Sequence, residues 1–327
     1  MKGTHHIIVA SKRLHYEFDI RRNLTIIRGD SATGKTTLVD MIQEYVNNPS
    51  GSSVTVQCDK ACYVIAGATW QGQLSMIRDG IVFIDEGNDF VHSTEFSSAI
   101  QQTDNYYVIV TREALANLPY SVEEVYGIRS SGRFGTLQQT YHEFYRIYSR
   151  EALNEVVHPG MVLTEDGMAG FQFFQSVSEA RNIACQSAGG KSGIFMLASR
   201  YDGRNGVLLI IADGAAFGPE MDRMSKLMES RDDVILYLPE SFEWLILSAG
   251  VLKNNAIRSV LSDPASYIES SEYFSWERYF TELLIAESRG THLAYSKRTL
   301  NTAYLAPGVV QKILREIRKI DFEDQRK

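Results

Sequence analysis

Three apolar runs lie in the first half of the chain: CYVIA at 62–66, IVFID at 81–85 and YYVIV at 106–110. Their apolar positions do not alternate with polar ones, as in strands covered on both faces. Ahead of them HIIVA, LHYEFDI and LTIIR, within residues 6–28, read as further strands. From Thr36 to about Val46, the residues Leu38, Met41, Ile42, Tyr45 and Val46 recur at helical spacing. NNPSGSS at 47–53 is a turn-rich loop. Helical patterns lie between the later runs, and this alternation predicts a mostly parallel sheet covered by helices.

A second α/β pattern begins near residue 160. MVLTE (161–165) and GVLLIIAD (206–213) read as strands ending in acids, and DVILYLP (233–239) as a third strand. GFQFFQSVSEARNIA and PEMDRMSKLMES read as the intervening helices, with SAGGKSG (187–193) as a loop. From about 263 onward the pattern is helical, closing with VVQKILREIRKI. The domain boundary is expected within 146–160, near His158–Pro159–Gly160, giving one domain over residues 1–150 and another over 155–327. There is no internal repeat and no low-complexity tract.

The 327 residues suffice for two domains, and 44% hydrophobic with 22% charged residues is ordinary globular composition. The net charge of -7 does not draw nucleic acid or anionic lipid by bulk attraction. Binding of nucleic acid would need a local basic patch or metal ions. The 17 tyrosines are available to stack on bases, although core and interface roles account for tyrosine more often. Cys58, Cys62 and Cys185 are odd in number, and the Cys58/Cys62 spacing lacks the second pair of a zinc site. They are read as reduced thiols of a cytoplasmic protein. The N-terminal apolar run is too short for a signal peptide, and no segment is long enough to span a membrane.

The segment GDSATGKT matches G-x-x-x-x-G-K-[ST], preceded by a strand and followed by an amphipathic helix, as a P-loop requires. Gly29, Asp30, Ser31, Ala32, Thr33 and Gly34 would turn their N–H groups toward phosphates, at the positive end of the following helix. Lys35 would reach the β- and γ-phosphates, Thr36 would ligate Mg²⁺, and Thr37 completes the set. ATP and Mg²⁺ are therefore the expected cofactors. Asp85, ending the IVFID run, would hold Mg²⁺ through water at a strand's carboxyl end, and Glu86 would act on the attacking water. Thr111 and Arg112 follow the next run. Arg112 is either a γ-phosphate sensor or a surface ion-pair residue.

LTIIRGDSATGKTTLV and FIDEG, with the strands before them, resemble ATP-binding-cassette-like ATPases of the repair and defence type over roughly residues 5–145. The stretch 37–80 leaves little room for a transporter's helical arm, and WQGQLS (70–75) stands in poorly for the signature sequence. Binding is thus a firmer expectation than turnover.

The acids of the second half follow successive strands: Glu165 and Asp166, then Asp213, then Glu240 and Glu243. Strand ends on one edge of a parallel sheet converge, and gathered carboxylates raise one another's pKa unless a cation joins them. VLTEDG and IIADGAAFG are similar to the TOPRIM fold, as in nucleases of the overcoming-lysogenisation-defect family. That resemblance implies a metal site at Glu165 and Asp213 that cuts phosphodiesters, with Glu240 as a further ligand. The family's second aspartate is replaced by Ala215, leaving Asp222, Glu240 or Glu243 to compensate. Lys191 is either a phosphate contact or a solvated loop lysine. The bland reading is an inactive domain whose acids cap helices or face water.

The expectation is an α/β protein, a P-loop NTPase domain followed by a smaller TOPRIM-like domain with a helical C-terminus. It would be an ATPase coupled to a Mg²⁺-dependent nuclease in anti-phage defence or repair, with Glu86, Glu165 and Asp213 catalytic. The alternative is a nucleotide-gated assembly scaffold. A small-molecule kinase or nucleotidyl transferase ranks below both, for want of a substrate motif. Partners would be ATP, a homo-oligomeric neighbour through the ATPase half, and a nucleic acid or protein, with no membrane.

Overall fold

The computed structural model describes residues 2–29, 33–136, 139–148 and 155–323. The protein is α/β. It divides into two compact units: Met1–Ser149 with Asp263–Phe274, and Arg150–Ser262 with Ser275–Lys327. The segment 263–274 thus counts with the first unit, whereas a single cut in the chain would leave it in the second.

In the first unit β1 (His5–Ala10), β2 (Leu14–Ile20) and β3 (Leu24–Ile27) lead into α1 (Lys35–Asn47). Then come β4 (Thr55–Gln57), β5 (Cys62–Val64), α2 (Trp70–Ser75), β6 (Ile81–Ile84), α3 (Thr94–Ile100) and β7 (Tyr106–Val110). A hairpin of β8 (Val125–Thr136) and β9 (Gln139–Arg146) completes a nine-stranded sheet of order β4-β1-β2-β9-β8-β3-β7-β6-β5.

The sheet is mixed, with five of its eight pairings parallel among the described residues. From β8 to β5 every pairing is parallel, but β4–β1, β1–β2 and β8–β9 are antiparallel. The reason is composition. Every residue of β3, β6 and β7 is buried, so these strands carry the strong apolar signal. The hairpin strands give no such signal, because β8 is rich in Gly and Ser and β9 is mostly polar and nowhere fully buried.

Alternate residues of the central strands feed two cores. Ile81, Phe83 and Val108 meet Leu38 and Ile42 of α1 on one face. Val82, Ile84 and Ile109 meet Trp70 and Phe96 on the other. Each fully buried apolar side chain contributes roughly 1.5–3 kcal/mol. Trp70 and Leu74 of WQGQLS are buried core residues, and Trp70 stacks on Phe90 at 5.1 Å.

The second unit has β10 (Pro159–Thr164), α4 (Ala169–Glu179), β11 (Ala184–Ser187), α5 (Lys191–Arg200), β12 (Val207–Ile211), α6 (Met221–Met228) and β13 (Val234–Tyr237). Helices α7 (Phe242–Ser248), α8 (Asn255–Ser262), α9 (Trp276–Ser288) and α10 (Pro307–Glu316) follow. Its sheet, β11-β10-β12-β13, is parallel throughout.

Two expected elements change. Helix α4 stops near Glu179 because Asn182 turns left-handed (φ 57°) and the Ile183 N–H bonds back to the Ser178 carbonyl, a helix-ending turn that frees Ala184 to start a strand. The SAGGKSG stretch is only in part a loop, since α5 begins at Lys191 directly after Gly189 and Gly190, both with positive φ.

Candidate functional site

The turn after β3 is built for close backbone approach. Gly29 and Gly34 have φ of 133° and 92°, where side chains are disfavoured. A Cβ on Gly34 would lie 2.8 Å from the Tyr16 hydroxyl, which donates to the Gly34 carbonyl at 3.0 Å. The Tyr16 ring in turn stacks on His142 at 4.4 Å. Asp30, Ser31 and Ala32 lie outside the described residues. Lys35, the first residue of α1, is buried, and its ammonium donates to the Gly29 carbonyl (2.8 Å) and the Thr33 hydroxyl (3.1 Å). It is folded onto the turn it would share with a phosphate. Thr36 and Thr37 follow it, exposed, on the first turn of α1.

The sheet order brings the second set of residues to the same edge. β7 lies between β3 and β6, so Thr111 and Arg112 leave the sheet between the phosphate turn and Asp85–Glu86. Thr36 Oγ1 donates to the Asp85 carboxylate at 3.4 Å. Burial raises the Asp85 pKa, against the Glu86 N–H and the Thr36 hydroxyl, which lower it. A hydroxyl beside a carboxylate is a hard-oxygen donor pair that fits Mg²⁺.

Glu86 is held by Arg112 through two hydrogen bonds, 2.6 Å from Nη2 and 3.1 Å from Nε. That contact lowers the Glu86 pKa and outweighs the opposing effect of desolvation. The Arg112 carbonyl accepts from Arg28 Nη2 at 2.7 Å, and Thr111 is turned into a local bond with the Glu113 carbonyl. The side chain of Arg112 is 58% exposed, so the pair can open without loss of a buried charge.

In the second unit β10 and β12 pair Thr164 with Ile211, so Glu165 and Asp213 leave one sheet edge side by side. The Asp213 N–H donates to Glu165 Oε2 at 3.1 Å, and the Gly190 N–H donates to the Glu165 carbonyl at 2.7 Å. Both acids line one pocket, together with Glu243, Tyr295 and Lys297. Glu243, in the first turn of α7, is buried and accepts from the Tyr295 hydroxyl at 2.8 Å. Lys297 pairs with Glu277 of α9.

Burial, more than any neighbour, pushes Glu165 up to about 7, and Glu277 and Asp166 add to it. Burial also drives Asp213 well above the carboxylate range, helped by Glu277, Glu165 and Glu243 and opposed by Lys297. Burial works against the Lys297 charge, but Glu243, Glu277 and Asp213 overcome it and raise its pKa.

Asp166 instead accepts from the Met168 N–H, as a turn residue does. Glu240 is buried and Asp222 sits in the first turn of α6, and neither lines the pocket. Ala215 is buried. Lys191 donates to the Ala216 carbonyl at 3.3 Å and lowers the Glu165 pKa.

Glu277, Tyr295 and Lys297 carry no signal in the sequence, because they come from loops and a helix far along the chain from the strand-end acids. The carboxylate oxygens are again a donor set that suits a hard divalent cation. Among the described residues, no three His, Cys, Asp or Glu side chains are disposed to share one metal ion as they stand. No helix among the described residues is long and apolar enough to cross a membrane. Compared with protein-family models and with curated proteins, the chain matches none.

Proposed function

We propose that the chain binds Mg-ATP at Gly29–Thr37 and hydrolyses it. In this reading the hydrolysis cycle is coupled to a TOPRIM-like site at Glu165 and Asp213 that cuts phosphodiesters in anti-phage defence or repair. The observation that carries the reading is the phosphate turn. Lys35 is buried at the head of α1 with its ammonium on the Gly29 carbonyl, and Thr36 faces Asp85 across the same sheet edge.

A nucleotide would supply phosphate oxygens for Lys35, a hard oxygen set shared with Mg²⁺ for Thr36, and negative charge for the α1 N-terminus. Glu86 then orients and deprotonates the attacking water, provided that Arg112 releases it. Arg112 is able to follow the γ-phosphate instead, which links release of the base to the presence of substrate. ATP binding is expected to draw a second copy onto this unit.

At the acidic site Mg²⁺ would supply charge neutralisation for an attack on phosphate. Glu165 and Asp213 would hold it as oxygen donors, and Glu243 would stay tied to Tyr295. With Ala215 giving no ligand, one firm metal is expected. The scaffold reading, in which ATP gates assembly and nothing is cut, draws on that same Ala215 and on Lys297, whose ammonium already neutralises part of the acid set.

The deciding experiment compares wild type, Lys35→Ala and Asp213→Ala for Mg-ATP binding by calorimetry and for cleavage of single-stranded, duplex and structured RNA and DNA with Mn²⁺. The nuclease reading expects Asp213→Ala to bind ATP normally and to lose cleavage. ATP-dependent assembly by light scattering with no cleavage of any substrate would establish the scaffold instead. Equal ATP affinity in wild type and Lys35→Ala would sink both.

A further inference from the structure

The ends of the nine-stranded order, β4 and β5, are joined by residues 58–61 alone. Strands at opposite ends of a sheet can be so joined only if the sheet curls back toward itself around α1. Cys58 and Cys62 flank this junction. Both pack against the core that takes in Leu38 and Ile42 of α1.

The two sulfurs are held together by one residue. The Lys60 N–H donates to Cys58 Sγ at 3.4 Å, and the Cys62 thiol points to the Lys60 carbonyl at 3.9 Å. Asp59, between them in sequence, accepts from Cys58 Sγ at 3.4 Å and is itself fixed by His5 Nδ1 at 2.9 Å. Both cysteines are partly exposed, so solutes reach them.

We propose that Cys58 and Cys62 form a peroxide-sensitive dithiol that closes reversibly into a disulfide across this junction. Cys58 is the attacking sulfur, because its thiol donates to the Asp59 carboxylate, which can take the proton and leave the nucleophilic thiolate.

The oxidant is a hydroperoxide. The Cys58 thiol proton passes to the Asp59 carboxylate as its sulfur attacks one peroxide oxygen. The S–O bond forms, the O–O bond breaks, and the departing hydroxide takes that proton as water. The Cys62 sulfur then displaces hydroxide from the Cys58 sulfenic acid, and the Cys62 proton leaves with it as a second water. One peroxide is reduced, two thiols are oxidised, and an S–S bond of about 2.05 Å replaces the two S–H bonds. A small thiol such as dithiothreitol reverses the step by exchange.

Cys185 is the internal control, since burial pushes its thiol up to about 11. The test uses the full chain, reduced, desalted and treated with hydrogen peroxide. Lys60 lies between the two cysteines, so trypsin separates their peptides unless a disulfide joins them. The expected result is one linked pair of peptides with the mass of two hydrogens lost, restored by dithiothreitol, and formed roughly ten-fold faster than any oxidation at Cys185. In Cys62→Ser, Cys58 should stop at the sulfenic acid and be trapped by dimedone. Alkylation of both thiols after peroxide as fully as before it would overturn the proposal. So would oxidation that favours Cys185, or cross-linking of Cys58 between chains in place of the internal bond.

Discussion

The Glu165 carboxylate accepts a hydrogen bond from the main-chain N–H of Asp213 at 3.1 Å, across a sequence separation of 48. This contact fixes the two acids of the pocket at one strand edge, and it favours the charged form of Glu165 while burial disfavours it. The balance lies with burial, so folding raises the pKa from 4.5 to about 7.

A carboxyl whose pKa rises on folding adds stability that is complete below its unfolded value and is lost as pH climbs through the folded value. In metal-free protein, stability should therefore fall as pH climbs from about 5 toward about 8. Asp213, shifted in the same direction, adds to the fall. Each kcal/mol lost lowers the melting temperature by about 2–4 °C in a domain of this size. Mn²⁺ should restore the loss most at the alkaline end, and Glu165→Gln should flatten the pH dependence. Melting curves with EDTA and with Mn²⁺ that show no pH dependence would refute this.

Lys35→Met removes the charge that bridges the turn and would meet the β- and γ-phosphates. The loss of charged hydrogen bonds costs about 1.5–3 kcal/mol each, or roughly 10- to 100-fold in ATP affinity per bond. Titration calorimetry with Mg²⁺ reads this directly. An affinity within about two-fold of wild type falls well short of one such bond and would contradict the role.

Glu86→Gln should leave ATP binding intact and slow hydrolysis by about 10²- to 10⁴-fold, the usual worth of a general base. Arg112→Ala bears on the same carboxylate from the other side. Without its guanidinium partner Glu86 becomes more basic, so the acid limb of the pH–rate profile should move to higher pH. A profile that stays in place while the rate falls would make Arg112 a structural residue only.

Tyr295→Phe removes the donor to a buried Glu243 oxygen. An unsatisfied buried acceptor costs about 1–3 kcal/mol, more when charged. Chemical denaturation should show the loss at neutral pH while ATP affinity is unchanged. Equal stability of variant and wild type would mean that another donor or water replaces the hydroxyl.

Much of the architecture could be read along the chain. Continuous apolar runs marked β3, β6 and β7, and helical spacing marked α1, because complete burial and one-sided burial each leave a periodic trace in the residues themselves. Local chemistry likewise put Gly34 and Lys35 in one turn. Tertiary structure alone decided that the sheet is mixed, since β8, rich in Gly and Ser, and the half-exposed β9 owe their place to pairing with neighbours, not to their own hydrophobicity. Only the fold could show that Arg112 ties up Glu86, or that Glu243, Tyr295 and Lys297 share a pocket with Glu165 and Asp213. Those contacts join residues far apart in sequence, and whether a buried acid keeps its proton depends on the charges and solvent around it in space.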